Sequence, residues 1–554
     1  MSLMNKFSYD PHIKLSARRE LGHRSVRFLH APHPLEQFVM FRFVVFVAAI
    51  ASVRSARILC MFPTPAYSHQ MVFRSYTQAL IERGHTLTVI TPTPLNAKNS
   101  ANLTEIDISN SHTHYKQLVD QSKLYKKRGI IADVESVNHR NYLGLVRMVS
   151  EQFRNERVGE LLRADRDTNR FDLIVTEAFI DFPLILSHFY DAPVIQMSSG
   201  HGLAENFETM GAVSRHPIYY PNVWRDTFPS SSNVWQMANE LYRELVLYRE
   251  FALLADEEDK MLKRQFGRHV PGVRALRNNV QMLLLNTHAM FDNNRPVSPS
   301  VQYLGGIHLK KQSNIMNSHL SQFLDDSTMG VVYVSFGSGV HALDMDDEFL
   351  HVFLSTFRSL PYNILWKADS VNDTLLPGNV LVQKWFPQQD VLNHRNVRVF
   401  VTHGGIQSTD EAIDAQVPLV GLPLMGDQFF NVAKFQELGI GRALNAHTVD
   451  AAELIEAILD ANENPAYKRN LARVKRIILD QPMKPLEKAV WYTEHVIRHG
   501  GAAHLKTRAS NVAWYEYLMV NALVPVVVSA FIGCFGTYSK YTLGLSHIYY
   551  YAIF

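Results

Sequence analysis

The sequence predicts an α/β protein with two doubly wound parallel-sheet domains facing each other across a cleft. Three observations lead there. Apolar runs of strand length alternate with helix-like segments along most of the chain, the pattern of strands joined by crossover helices. The alternation comes in two series, separated by a polar stretch from about Lys310 to Thr328. The length, 554 residues, exceeds what one hydrophobic core usually organises.

Taken in order, residues 1–39 are basic and unpatterned and read as an upstream extension, with Met40 the better initiator. Arg42 then precedes an apolar run, Phe43 to Ala51, and small residues at Ser52 and Ser55 suit cleavage near Ser55. Residues 40–55 are therefore expected to be a secretory signal, outside the fold. Arg57 to Phe62 is a strand broken by Pro63 and Pro65, and a helical pattern from Met71 to Arg83 is closed by Gly84. Further strands are expected at Thr86–Ile90, Asp172–Glu177, Val194–Met197 and Met282–Leu285. The second series runs Val331–Phe336, Ile364–Trp366, Val380–Val382, Val399–Thr402 and Pro418–Leu422. The boundaries expected are 56–312 for a first, acceptor-binding domain, 313–480 for a second, donor-binding one, and 481–516 for C-terminal helices. A hydrophobic tail, 517–554, completes the chain.

Within that tail, Tyr517 to Ser539 carries no charge between Glu516 and Lys540. It is long enough to span a bilayer. Asn521, Pro525, Gly533 and Gly536 interrupt it, so a segment packed on the protein is the alternative, and membrane contact through the tail stays open.

Composition narrows the function classes. Hydrophobic residues at 47% and charged residues at 19% exclude disorder. A net charge of +3 gives no field for nucleic acid. The two cysteines, Cys60 and Cys534, support neither a disulfide framework nor a cysteine-built zinc site.

Chemistry concentrates in Trp385 to Gln428. Trp385-Phe386-Pro387-Gln388 opens the segment, and His403 follows at the end of the strand Val399–Thr402. Gly404 and Gly405 then lead into a helical stretch bearing Gln407, Ser408 and Glu411, and Asp427-Gln428 close the segment. An aromatic plane such as Trp385 stacks on a nucleobase at little entropic cost. Glycines between a strand and a helix let the backbone approach a diphosphate, which the helix N-terminus attracts. His403 can donate to a phosphate oxygen, Glu411 can accept from a ribose diol, and Asp427 and Gln428 suit sugar hydroxyls. None of these residues needs a metal.

This segment resembles the nucleotide-sugar signature of the family 1 UDP-glycosyltransferases, with five elements in register over 44 residues. The resemblance implies a GT-B fold and a UDP-sugar co-substrate, with no cofactor and no metal. It also implies that Ser338, in Val334-Ser335-Phe336-Gly337-Ser338, touches a phosphate. Lys367 falls where relatives often carry a cation near the nucleotide. Asp480-Gln481-Pro482 with Pro485-Leu486 resembles the start of a segment that recrosses to the first domain. A competing signal, Gly337-Ser338-Gly339-Val340-His341-Ala342, fits a loose dinucleotide fingerprint. A dehydrogenase would want an acid about twenty residues on, and none stands there.

In the first half, Pro63 to His69 joins the first strand to the first helix and brings His69 to a carboxyl strand end. With Arg83-Gly84-His85 beyond it, the segment resembles the family's base-bearing loop. The orienting acid implied is Glu177, where most members have aspartate. Asp181 is the runner-up, and Asp172, at the strand start, should point elsewhere. Further runs, among them Gly202-Leu203-Ala204-Glu205-Asn206-Phe207 and Phe291 to Val297, resemble the branch of that family found in baculoviruses. The branch implies UDP-glucose as donor, an ecdysteroid (an insect moulting steroid) as acceptor, inversion at the transferred carbon, and secretion into host haemolymph. Asn102 and Asn372 open glycosylation sequons that chance would equally supply. A binding protein without catalysis is the remaining class, and retention of His69, Glu177 and His403 argues against it.

Overall fold

The computed structural model describes residues 55–95, 101–121, 139–165, 169–225, 233–310, 316–338, 346–368, 371 and 373–553. The expected signal therefore lies outside the described residues up to Arg54, as do Asn372 and most of the Gly337 to Ala342 run.

Two parallel sheets form the scaffold. The first has seven strands in the order β3-β2-β1-β4-β5-β6-β7: β1 Arg57–Met61, β2 Thr86–Thr91, β3 Leu103–Asp107, β4 Leu173–Glu177, β5 Val194–Ser198, β6 Val280–Leu285 and β7 Val301–Tyr303. The second has six, in the order β10-β9-β8-β11-β12-β13: β8 Val331–Ser335, β9 Asn363–Lys367, β10 Val380–Gln383, β11 Val397–Thr402, β12 Leu419–Gly421 and β13 Gly441–Ala443. Three strands were not expected from the sequence: β3, β7 and β13. All three are edges, where one flank of the strand lacks a neighbour and the apolar run shortens. The first helix, Tyr67–Glu82, starts a turn earlier than Met71 and ends as expected, with Gly84 at φ +88°.

Covered on both faces, the central strands read as near-continuous apolar runs. Alternate residues of β1 serve opposite layers. Ile58 and Cys60 pack into one core and Leu59 and Met61 into the other. In the second sheet Val331 and Tyr333 go to one side, Val332 and Val334 to the other.

Strand order reverses once in each sheet, between β1 and β4 in the first and between β8 and β11 in the second. In open α/β sheets ligands bind beyond the carboxyl ends of the strands at such a switch point. The residues that follow these four strands thus define where the site lies.

The chain then returns. A helix Pro485–His499, started by a proline in its first turn, packs its Ala489, Val490 and Val496 into the core that holds Ile58 and Cys60. Tyr76 Oη and Thr493 Oγ1 lie 2.6 Å apart, and Arg83 Nε donates to Glu494 Oε1 at 2.9 Å. Beyond it, Val520–Ile553 is one helix containing Pro525. Its stretch Val520–Thr542 has a mean hydropathy of 1.9 and is long and apolar enough to cross a membrane. None of that stretch is buried in the protein.

Candidate active site

At the first switch point, Thr64 follows β1 and Glu177 ends β4. His69, in the first turn of the first helix, donates from Nδ1 to Glu177 Oε1 at 2.7 Å. The other carboxylate oxygen, Oε2, accepts from the Thr64 backbone N–H at 3.1 Å. Glu177 is only 2% exposed and His69 is half-buried. With Nδ1 committed to the carboxylate, Nε2 is the nitrogen left to act as a base. Asp181 does not reach this pair: it is bound by Arg277 at 2.7 Å and by Gln196 at 3.0 Å. Asp172 lies at the opposite end of the sheet, accepting from the Arg57 N–H.

Two glutamines that sequence reasoning missed hold the loop that carries His69. Gln70 Nε2 donates to the carbonyls of Phe62 (3.0 Å) and Thr64 (2.8 Å), and Gln152 Nε2 donates to that of Pro63 (2.9 Å). Prolines remove donors from this loop, so its carbonyls are paired from side chains instead.

At the second switch point, His403, Gly404 and Gly405 lie between β11 and the helix Ile406–Ala415. The imidazole sits between two glycines. A Cβ on either Gly337 (φ +74°) or Gly405 would come within 2.9 Å of His403 ring atoms. Burial, with the Lys367 charge second, pushes the His403 pKa down to about 4, so the ring is neutral at physiological pH. Lys367, the last residue of β9, donates to the Gly337 carbonyl at 2.6 Å. Ser338 is exposed beside it. Cation, neutral imidazole, serine and helix N-terminus therefore converge beyond β8, β9 and β11.

A second group lies on the same helix. Gln388 donates to Ser408 Oγ (2.9 Å) and to Glu411 Oε2 (2.6 Å) and accepts from Tyr333 Oη (3.0 Å). Gln389 donates to Glu411 Oε1 at 3.0 Å. Burial raises the Glu411 pKa to about 7, against the pull of those two amides. Trp385 is 49% exposed, a large value for tryptophan; Lys367 Nζ stands 5.5 Å from its ring centre and Tyr67 of the first helix meets it edge-on at 4.6 Å.

The remaining predicted residues are partly committed elsewhere. Gln407 donates to the Ser199 carbonyl at 2.8 Å, a tie between the two sheets' halves. Gln428 turns Oε1 back to the N–H groups of Leu424 and Met425. Asp427 accepts from Asn431, which also donates to the Gly404 carbonyl at 2.9 Å and accepts from His201 Nε2 at 2.8 Å. Asn431 and His201 were not legible in advance, because neither belongs to a local pattern.

The model of the UDP-glucoronosyl and UDP-glucosyl transferase family matches residues 57–547. The chain belongs to this family. As a UDP-glycosyltransferase it is an enzyme that takes a UDP-sugar donor and a small-molecule acceptor. Among relatives, the ecdysteroid UDP-glucosyltransferase of Spodoptera littoralis nuclear polyhedrosis virus is 52% identical over 503 residues, covering 88% of this chain and 97% of the relative. That of Autographa californica nuclear polyhedrosis virus is 43% identical over 501 residues, 87% and 97% of the two chains. Two solved structures share the two-domain GT-B fold. UGT89C1 of Arabidopsis thaliana complexed with UDP has a TM-score of 0.53 at 15% identity, over 80% of this chain and all of that one. The glycotransferase of kitacinnamycin has a TM-score of 0.53 at 18% identity, over 81% of this chain and all of that one.

Proposed function

We propose that this UDP-glycosyltransferase moves glucose from UDP-glucose to a hydroxyl of an ecdysteroid, with inversion and without a metal, and so inactivates the hormone. The observation that carries the reading is the His69–Glu177 contact at the first switch point, in a sequence about half identical to viral enzymes named for that reaction. His69 Nε2 takes the acceptor's hydroxyl proton, and Glu177 stabilises the imidazolium through Nδ1–H. The freed oxygen attacks the anomeric carbon from the face opposite UDP. The bond from that carbon to the diphosphate breaks, and UDP leaves with the electron pair. Charge growing on the diphosphate is met by the N-terminus of Ile406–Ala415, His403, Lys367 and Ser338. The base stacks on Trp385 and the ribose diol donates to Glu411, while Gln388, Ser408, Gln407, Asp427 and Gln428 shape the rest of the donor site.

Incubating the full chain with labelled UDP-glucose and ecdysone should yield a polar steroid conjugate. Transfer to simple phenols but not to ecdysone would shift the acceptor to general lipophilic alcohols. The same assay with excess EDTA should keep its rate, since protein groups supply the positive charge. Loss of activity restored by magnesium or manganese would show that they do not suffice.

The Glu411 carboxylate gives the donor site a pH dependence. Its raised pKa means that charge is present above about 7 and lost as pH falls through that value. The KM for UDP-glucose should therefore climb by several-fold between about pH 7.5 and 6, bounded by about tenfold per pH unit. Glu411→Gln should raise KM at pH 7.5 and flatten the profile; an unchanged slope would remove Glu411 from the ribose.

We infer release into host haemolymph after cleavage near Ser55. The unburied apolar stretch Val520–Thr542 favours a second reading, a lumenal enzyme anchored in the endoplasmic reticulum membrane. Expression in insect cells separates them: release predicts activity in the medium, and an anchor predicts activity retained in carbonate-washed membranes.

A further inference from the structure

The loop after β5 reaches across to the half built on the second sheet. Ser198 Oγ donates to the His201 carbonyl at 2.6 Å, and Asn286 Nδ2 donates to that of Ser199 at 3.1 Å, so the first sheet sets where the loop stands. Gly200 brings it so near the helix Ile406–Ala415 that an added Cβ would lie 2.9 Å from Ile406 Cγ2. His201 is thereby carried onto Asn431, in the helix Gln428–Glu437.

Hydrogen-bond accounting fixes the roles in this contact. Asn431 is fully buried and places Nδ2 between two acceptors, the Gly404 carbonyl at 2.9 Å and Asp427 Oδ2 at 3.1 Å. Both its N–H bonds are thus engaged, and its Oδ1 is the atom that meets His201 Nε2 at 2.8 Å. Nε2 therefore carries the proton, while the buried Nδ1 has no hydrogen-bond partner. The imidazole is 4% exposed. Among the described residues it makes a single hydrogen bond, and that bond crosses to the other half. An unpaired buried nitrogen costs stability, so an apolar ring would pack there more favourably. Asp427, for its part, keeps one oxygen for a ligand: among the described residues nothing donates to its Oδ1.

We propose that His201 is a positioning residue for the donor sugar. Its Nε2–H holds the Asn431 amide in the orientation that donates to Asp427, and so aims the free Asp427 oxygen at a sugar hydroxyl. An overturned amide would set the Asn431 oxygen against the Asp427 carboxylate, two acceptors that repel. The inference rests on the reading that Asp427 meets the sugar. It ties recognition of the sugar, but not of UDP, to a residue of the first half.

The test titrates UDP and UDP-glucose separately onto the full chain, because their difference reports the sugar's contacts alone. His201 meets Phe430 edge-on at 5.7 Å; His201→Phe keeps an aromatic ring there but cannot donate. It should weaken UDP-glucose about tenfold, the scale of one misplaced hydrogen bond to a charged group, and UDP less than about threefold. His201→Gln, whose amide nitrogen stands near the place of Nε2, should recover most of the loss. Asp427→Ala should show the same selective loss, and adding His201→Phe to it should cost nothing further. Equal losses for both ligands, unchanged UDP-glucose affinity, or no recovery in His201→Gln overturns the proposal. Should His201→Phe fail to fold, His201→Ala must show the same selective loss or the proposal falls. If Asp427→Ala binds UDP-glucose as wild type does, the donor reading breaks and the inference with it. A selective loss in Asp427→Ala beside an unaffected His201→Phe overturns the inference alone.

Discussion

His69→Ala loses about 10²–10⁴ in kcat, the range for removal of a general base, and leaves UDP affinity unchanged. The separation follows from the two switch points. His69 hangs from the first sheet and contacts Glu177, while the proposed diphosphate site lies beyond β8 and β11 of the second. Glu177→Gln keeps shape and the Thr64 contact but removes the charge that stabilises the imidazolium, so its kcat falls on a similar scale. The double variant should cost little more than His69→Ala alone, because the carboxylate acts only through the histidine. Glu177→Asp retains part of the activity if the shorter acid still reaches Nδ1. The measurement is steady-state kinetics of the four variants with calorimetric UDP titration. A fully active His69→Ala ends the mechanism, and additive losses mean that Glu177 acts independently of it.

Gly405→Ala is the second large effect. Gly405 has φ −59° as the N-cap of Ile406–Ala415, a conformation open to alanine. The strain falls instead on His403, whose Nε2 would lie 2.9 Å from the new Cβ. The imidazole must swing aside, and the loss of one donor to a developing oxyanion costs about 10²–10³ in kcat. Thermal stability should change little. Gly404→Ala is the control of opposite character: φ is +85°, and its Cβ would run into Val432, so it should destabilise the whole turn. Comparing melting temperature and kcat for the two variants checks this. If Gly405→Ala is as active as wild type, His403 is not on the diphosphate.

These contrasts also show what the sequence discloses. Central strands such as Val331–Ser335 are legible because burial on both faces forces an unbroken apolar run. The edge strand Leu103–Asp107 has only two apolar residues, Leu103 and Ile106, set among Thr104, Glu105 and Asp107, and hides among loops. Gly441–Ala443 is three residues long and has no apolar run at all. The strand, glycine turn and helix from Val397 to Ala415 were legible as a unit because they are consecutive in the chain. Gln407 lay inside that pattern, yet its amide binds the Ser199 carbonyl, a contact spanning 208 positions that no local spacing encodes. Gln70, Gln152 and Asn431 escaped notice for the same reason. Each works through a neighbour brought near only by folding.

The returning helix Pro485–His499 has a consequence for biosynthesis. One flank of the first sheet is completed by Ala489, Val490, Val496 and Ala502, and Tyr76 finds its hydroxyl partner 417 positions downstream. While the ribosome is still making the second sheet, the earlier sheet and its first helix wait with that part of their core uncovered. Loop closure over such a separation is slow, and exposed apolar surface in the interval invites chaperones or aggregation. The half made first is therefore the half finished last, and a nascent chain stopped before Pro485 should carry a protease-sensitive N-terminal half.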